Sequence, residues 1–230
     1  MADPQLLDRP ILAMLTSRRQ AGLAIVRGGA RRLDPAYGIF AVLADGEAAS
    51  LDALGGLVRE FGDVGLVEPE PAPAIPRTQV VSEALCWQMI ADGPGEPTRE
   101  SAFEILDLGP ADAGEMLALA TLTRPGPFVS RTPELGDFVG VKLDGRLVAM
   151  AGERMKPDGF TEVSGVCTHP DHRGRGYAAA LMRVVMGRIR GRGEVPFLHA
   201  YAENRGAIGI YEGLGFRFRR ELVMTSLTAE

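Results

Sequence analysis

The segment Val163-Ser-Gly-Val-Cys-Thr-His-Pro-Asp-His-Arg-Gly-Arg-Gly-Tyr-Ala-Ala-Ala180 constrains the chain more than any other. Thr161 to Thr168 reads as a strand. His169 to Gly176 is a turn-rich loop. Tyr177 to Arg190 reads as a helix with Leu181, Val184, Val185 and Ile189 turned inward. Gly174 and Gly176 stand where the chain must turn tightly and let a ligand approach the backbone. The helix that follows begins with unpaired N–H groups and the positive end of its dipole. A strand, a glycine turn and a helix start together suit a phosphate or pyrophosphate. Arg173 and Arg175 add positive charge. The alternative is a glycine-rich turn that holds nothing.

The elements around this junction predict an α/β fold with a mixed sheet and helices on both faces. Ala111 to Thr123 is an amphipathic helix, ended by the breaker Arg124-Pro-Gly-Pro127. Phe138 to Leu143 and Leu147 to Met155 form a hairpin about Asp144-Gly145. Pro196 to Ala202 is a strand, Asn204 to Leu214 a helix stopped by Gly215, and Phe216 to Leu227 a final strand. The earlier part is less specified: a helix over Leu6–Gln20, a strand over Tyr37–Leu43, a helix over Ser50–Phe61 and a strand over Val80–Met89. Glu68 to Pro76 is a proline-rich connector, and Gly93 to Arg99 a second punctuated stretch. The expected division is a smaller α/β N-terminal lobe, residues 1–98, and a C-terminal domain, residues 99–230. No chemical motif is visible in the lobe; a cover for a cleft, a dimer surface or a degenerate second copy of the fold are its open readings.

Bulk properties exclude several classes. The chain of 230 residues carries a net charge of -5, which argues against a nucleic-acid partner. No apolar run is long enough to span a membrane, and no secretion signal is recognisable, so a cytoplasmic protein is expected. Cys86 and Cys167 are then expected to stay reduced. Cys167, His169, His172 and His199 lack metal-ligand spacing, so no metal is expected. A Cys167–His169 nucleophile has no third orienting partner and is interrupted by Pro170. Gly174-Arg-Gly-Tyr-Ala-Ala179 also satisfies a loose dinucleotide pattern. Too little chain follows it for the usual nucleotide-binding halves.

Arg173-Gly-Arg-Gly-Tyr-Ala178, the preceding His169-Pro-Asp-His172, and Asn204 followed by Tyr211 and Leu214-Gly-Phe216 together resemble the GCN5-related N-acetyltransferase (GNAT) superfamily. The resemblance covers about residues 100 to 230 and is nearest the FR47-like subgroup. It implies the acyl-CoA N-acyltransferase fold, with acetyl-CoA as co-substrate and an amine as acceptor. By resemblance, backbone amides from Gly174 through Arg175, Gly176, Tyr177, Ala178 and Ala179 hold the CoA pyrophosphate. Val166, Cys167 and Thr168 pair with the pantetheine arm through main-chain groups, and Asn204 bonds that arm. Asn204 is also well suited to cap a helix.

Acetyl transfer needs a neutral amine and a proton for the departing thiolate. An alkylamine titrates near pH 10, so a base helps at neutral pH. In the family a glutamate placed as Glu162 is serves as that base, often through water. His199 is the second candidate, since an unperturbed imidazole titrates near 6.5. Tyr211 is the candidate acid, because a phenol near pKa 10 stays protonated. Each has a structural alternative: a surface carboxylate, a strand histidine and a core tyrosine. An acyl-CoA-binding sensor without turnover is the non-enzymatic alternative. The acceptor's identity and the oligomeric state, a homodimer included, stay open.

Overall fold

The computed structural model describes residues 3–93 and 101–230. In chain order the elements are α1 (Pro10–Thr16), β1 (Ala24–Arg27), β2 (Ala30–Leu33), β3 (Ala41–Leu43), α2 (Ala48–Phe61), β4 (Val64–Glu68) and β5 (Thr78–Ile90). Then come β6 (Leu106–Leu108), α3 (Ala113–Thr123), β7 (Phe138–Leu143), β8 (Arg146–Glu153), β9 (Phe160–Thr168), α4 (Tyr177–Gly191), β10 (Val195–Tyr201), α5 (Arg205–Gly213) and β11 (Arg217–Ala229). The fold is mixed α/β. An eight-stranded sheet runs β4-β11-β5-β10-β9-β8-β7-β6, and β1-β2-β3 form a small sheet beside it. All its named pairings are antiparallel except β9–β10.

Helices cover both faces. Leu181, Met182, Val185, Met186 and Ile189 of α4 pack on Val139, Val141, Val148 and Val163. On the other face Met116, Leu119 and Ala120 of α3 meet Phe138, Leu147 and Met150. That second face also receives α1 through Ile11, Met14 and Leu15, which pack with Cys86, Phe160, Phe197, Leu222 and Met224. Asp144 and Gly145 both take positive φ, 49° and 76°, as a tight turn matching the strand twist requires. No helix among the described residues is long and apolar enough to cross a membrane.

Two sequence expectations change. The helix over Leu6–Gln20 is broken into a 3-10 turn, Pro4–Asp8, and the short α1. Pro10 disfavours helical backbone at Arg9, which sits at φ -131°, ψ 75°. The strand over Tyr37–Leu43 shrinks to β3, with Phe40 bridging to Gly65. The 98/99 boundary lies outside the described residues, but β4 and β5 from the expected lobe are strands of the main sheet. β5 sits between β10 and β11, so the two regions share one sheet. β1, β2, β4 and β6 were not anticipated; β1 and β2 turn at Gly28-Gly29, a legible hairpin signal.

Candidate active site

β9 and β10 pair in parallel only at Phe160–Val195, Thr161–Pro196 and Glu162–Phe197. Beyond Glu162 the strands part. β10 goes on beside β5, with His199 opposite Gln88 and Tyr201 opposite Cys86. The remainder of β9 goes on beside β8, with a register shift at Gly165. Gly165 has φ 63°, and a Cβ there would lie 2.9 Å from the Phe138 ring. The bulge therefore needs glycine twice over, for its dihedral and for its space. A glycine inside a strand pattern was the available signal for this bulge, and the sequence reading passed over it.

The opened sheet forms a groove floored by Val166, Cys167 and Thr168. At one end lie Arg173, Gly174, Arg175, Gly176, Tyr177, Ala178 and Ala179; at the other lie Asn204 and Tyr211. All the residues expected to hold the cofactor thus line one cavity. Gly174 and Gly176 have φ 76° and 81°, and a Cβ at either would meet nothing within 4 Å. Their glycines serve conformation, not space. The first intrahelical bond of α4 is Ala180 N–H to Gly176 O, 3.1 Å. The amides of Tyr177, Ala178 and Ala179 therefore have no partner within the helix. That cradle fits a diphosphate anion. Thr123, Arg124 and Pro125, at the end of α3, form the opposite wall.

A second chamber lies beyond the splay. It is lined by Phe40, Val67, Cys86, Pro125, Gly126, Pro127, Arg154, Met155, His199, Tyr201 and Met224, and it shares Pro125, Asn204 and Tyr211 with the groove. Phe40 and Val67 come from the expected N-terminal lobe, so residues of that region line part of this chamber. The Pro125–Pro127 turn of the helix breaker forms part of its wall. Asn204 Oδ1 accepts the Ala207 N–H at 3.2 Å, so it caps α5 while lining both cavities. Tyr211 is mostly buried; burial pushes its phenol above the ordinary value and keeps it protonated.

Glu162 and His199 are brought together, but not as a free base. Glu162 is 1% exposed. Arg154 Nε donates to its Oε2 at 2.8 Å and Nη2 to its Oε1 at 2.9 Å. His199 Nδ1 is 2.8 Å from Oε1. Burial alone raises the carboxyl, but the Arg154 charge and the His199 and Arg154 hydrogen bonds prevail and hold it at about 2. Glu162 is therefore ionised at neutral pH, with both carboxylate oxygens engaged. The other side of His199 is also occupied. Gln88 Oε1 accepts from Arg219 Nη1 at 2.8 Å, which orients the amide. Gln88 Nε2 then donates to Leu7 O at 2.8 Å and to His199 Nε2 at 3.1 Å. Both ring nitrogens of His199 are thus engaged, Nδ1 by Glu162 and Nε2 by Gln88. Arg154, Gln88 and Arg219 had no sequence signal, since their roles arise only where distant strands meet.

Cys167 is buried and its thiol is pushed up to about 11 by burial, so it is not a nucleophile at neutral pH. No metal-holding group of His, Cys, Asp or Glu occurs among the described residues.

Residues 138–224 match the FR47-like protein family. The fold is that of the GNAT acetyltransferases, and the chain belongs to that family. It is 48% identical to a protein of Novosphingobium aromaticivorans DSM 12444 assigned to the GNAT family, over 100% of both chains, with a TM-score of 0.89. A GCN5-related N-acetyltransferase from Kribbella flavida shares the fold at 20% identity and TM-score 0.62, over 98% of this chain and 94% of its own. A third such fold, from Sphaerobacter thermophilus, aligns over 86% of this chain and 76% of its own at 18% identity and TM-score 0.52. No functionally curated protein matches the chain significantly.

Proposed function

We propose that this protein transfers an acetyl group from acetyl-CoA to a primary amine, with both substrates bound at once. The observation that carries the reading is the meeting of the two cavities at Pro125, Asn204 and Tyr211. One cavity ends in a diphosphate cradle, and the other is closed enough for an acceptor. Acetyl-CoA supplies the acetyl group as a reactive thioester. The Gly174–Ala179 amides, with Arg173 and Arg175, hold its diphosphate; Val166 to Thr168 offer main-chain bonds to its arm, as an added strand would use.

The proton inventory follows from the chain's own groups. The acceptor nitrogen must lose a proton, and the departing sulfur must gain one. Tyr211 Oη donates to the departing sulfur and is restored by the proton that the nitrogen gives up after attack, so amine and thioester leave as amide and CoA thiol. Among the described residues the chamber presents no free base, so the acceptor enters as its neutral form, having left its ammonium proton in the solvent. Burial in the chamber favours that form over the ammonium. Glu162 and His199 act by positioning: they fix β9 against β10 at the last rung before the splay. Two free, buried cysteines suit a reducing compartment, and we place the activity in the cytoplasm.

The test is thiol release from acetyl-CoA, followed with a colorimetric thiol reagent across a panel of amines. Turnover on at least one amine supports the reading. The engaged Glu162–His199 pair is the one observation favouring a CoA-binding sensor; CoA binding by calorimetry with no turnover on any amine would establish it.

A further inference from the structure

The acceptor chamber carries an electrostatic selection that the family alone does not specify. Among the described residues, none that lines it is an aspartate or glutamate. The carboxylate beside it, Glu162, has both oxygens committed to Arg154 and His199. Cys86 is held up to about 11 by burial, so its thiol is uncharged at neutral pH. Burial likewise raises the Tyr201 phenol. Among the described residues the lining includes the Arg154 guanidinium, which is paired with Glu162 and lies over the Phe40 ring, 4.7 Å from its centroid. Phe40, Val67, Met155, Ala200 and Met224 with the proline turn make the apolar part of the wall, and His199, Asn204 and Tyr211 the polar part.

The geometry points to primary monoamines with an uncharged alkyl or aryl body as the acceptors, and to rejection of polyamines, aminoglycosides and lysine side chains flanked by further cations. This rests on the acetyltransferase reading above. A body that fills the chamber gains by leaving water, methylene by methylene. A second ammonium in the same place loses its hydration and finds no counter-ion. The pocket thus discriminates by desolvation as well as by fit. The methionines, unbranched and deformable, suit a range of body shapes.

The test is a matched pair. n-Heptylamine and 1,6-diaminohexane are nearly the same length and differ by a terminal methyl against a terminal ammonium. We expect kcat/KM for heptylamine to exceed that for the diamine by at least about 30-fold, the penalty of an unpaired buried charge. Equal rates, or a preference for the diamine, overturn the inference. A second measurement does not depend on turnover. 1-Heptanol, which lacks the nucleophilic amine, should bind the CoA-loaded protein in calorimetry, while 1,6-diaminohexane should not. If no amine turns over but heptanol binds, the enzyme reading fails and the apolar specificity stands. If heptanol does not bind and heptylamine is not preferred, the specificity falls, whether or not other amines react. Met224→Glu should place a carboxylate in the wall and bring the two amines within about threefold of each other. Met224 is buried, so a thermal melt accompanies that variant, and the wild-type ratio decides the matter if it fails to fold.

Discussion

Glu162 and His199 stand 2.8 Å apart on strands that are paired at that point and separate immediately after it. The carboxylate is gripped from the other side by Arg154. The two residues expected as candidate bases are hydrogen-bonding partners of each other.

Glu162→Gln should therefore damage stability before chemistry. It leaves the Arg154 cation buried without its counter-charge, at a cost of about 3–5 kcal/mol. A fall in melting temperature of about 10 °C is expected by calorimetry. The acid limb of stability carries the same signature. The carboxyl lies at about 2 in the fold against 4.5 ordinarily. Its depressed value means that the unfolded chain binds the extra proton first. The contribution is complete above pH 4.5 and is lost as pH falls through about 2. Wild-type stability should drop across that window, and the drop should be smaller in the variant. An unchanged melting temperature would show that the ion pair does not matter.

Gly176→Ala tests the cradle without adding bulk, because a Cβ meets nothing there. A left-handed backbone costs an L-residue about 1–2 kcal/mol. Relaxing it would turn the helix-start amides away from the ligand. CoA affinity measured by calorimetry should weaken about tenfold, equivalent to 1.4 kcal/mol. Full retention of affinity would place the diphosphate elsewhere.

Tyr211→Phe should separate binding from chemistry. The phenol is kept protonated by burial, and its ring packs against Phe216 at 6.3 Å between centroids. Phenylalanine keeps that packing and removes the proton. We expect kcat to fall about 100-fold, within the usual range for a lost general acid. CoA affinity should stay within about threefold. Equal losses in both would make the hydroxyl structural.

The pH profile tests whether the chamber takes up neutral amine. With no free base, kcat/KM for the acceptor should rise about tenfold per pH unit from 7 to 9, following the neutral fraction of an amine of pKa near 10. A plateau near pH 7 would reveal a side-chain base, and the reading of the Glu162–His199 pair as scaffold would be wrong. The rise should persist in Tyr211→Phe at a lower level.

The C-terminal elements and the glycine turn at the head of α4 were legible because their signals are local. Period-two and helical patterns gave β7 to β11 and α3 to α5 to within a residue or two. The hairpin at Asp144-Gly145 and the positive-φ turn at Gly174 to Gly176 follow from glycine chemistry at neighbouring positions. The phosphate cradle needs only a helix start and the residues before it, so the chain states it outright.

The acceptor side was decided by tertiary structure alone. Phe40, Val67, Gln88 and Met224 are distant in sequence and meet only because β5 enters the sheet between β10 and β11. Nothing near Glu162 in the sequence tells that Arg154 will neutralise it, or that Gln88 will occupy the far nitrogen of His199. Local pattern sets which backbone groups are exposed at a turn. The charge state and freedom of a buried side chain depend on which partners the fold brings to it.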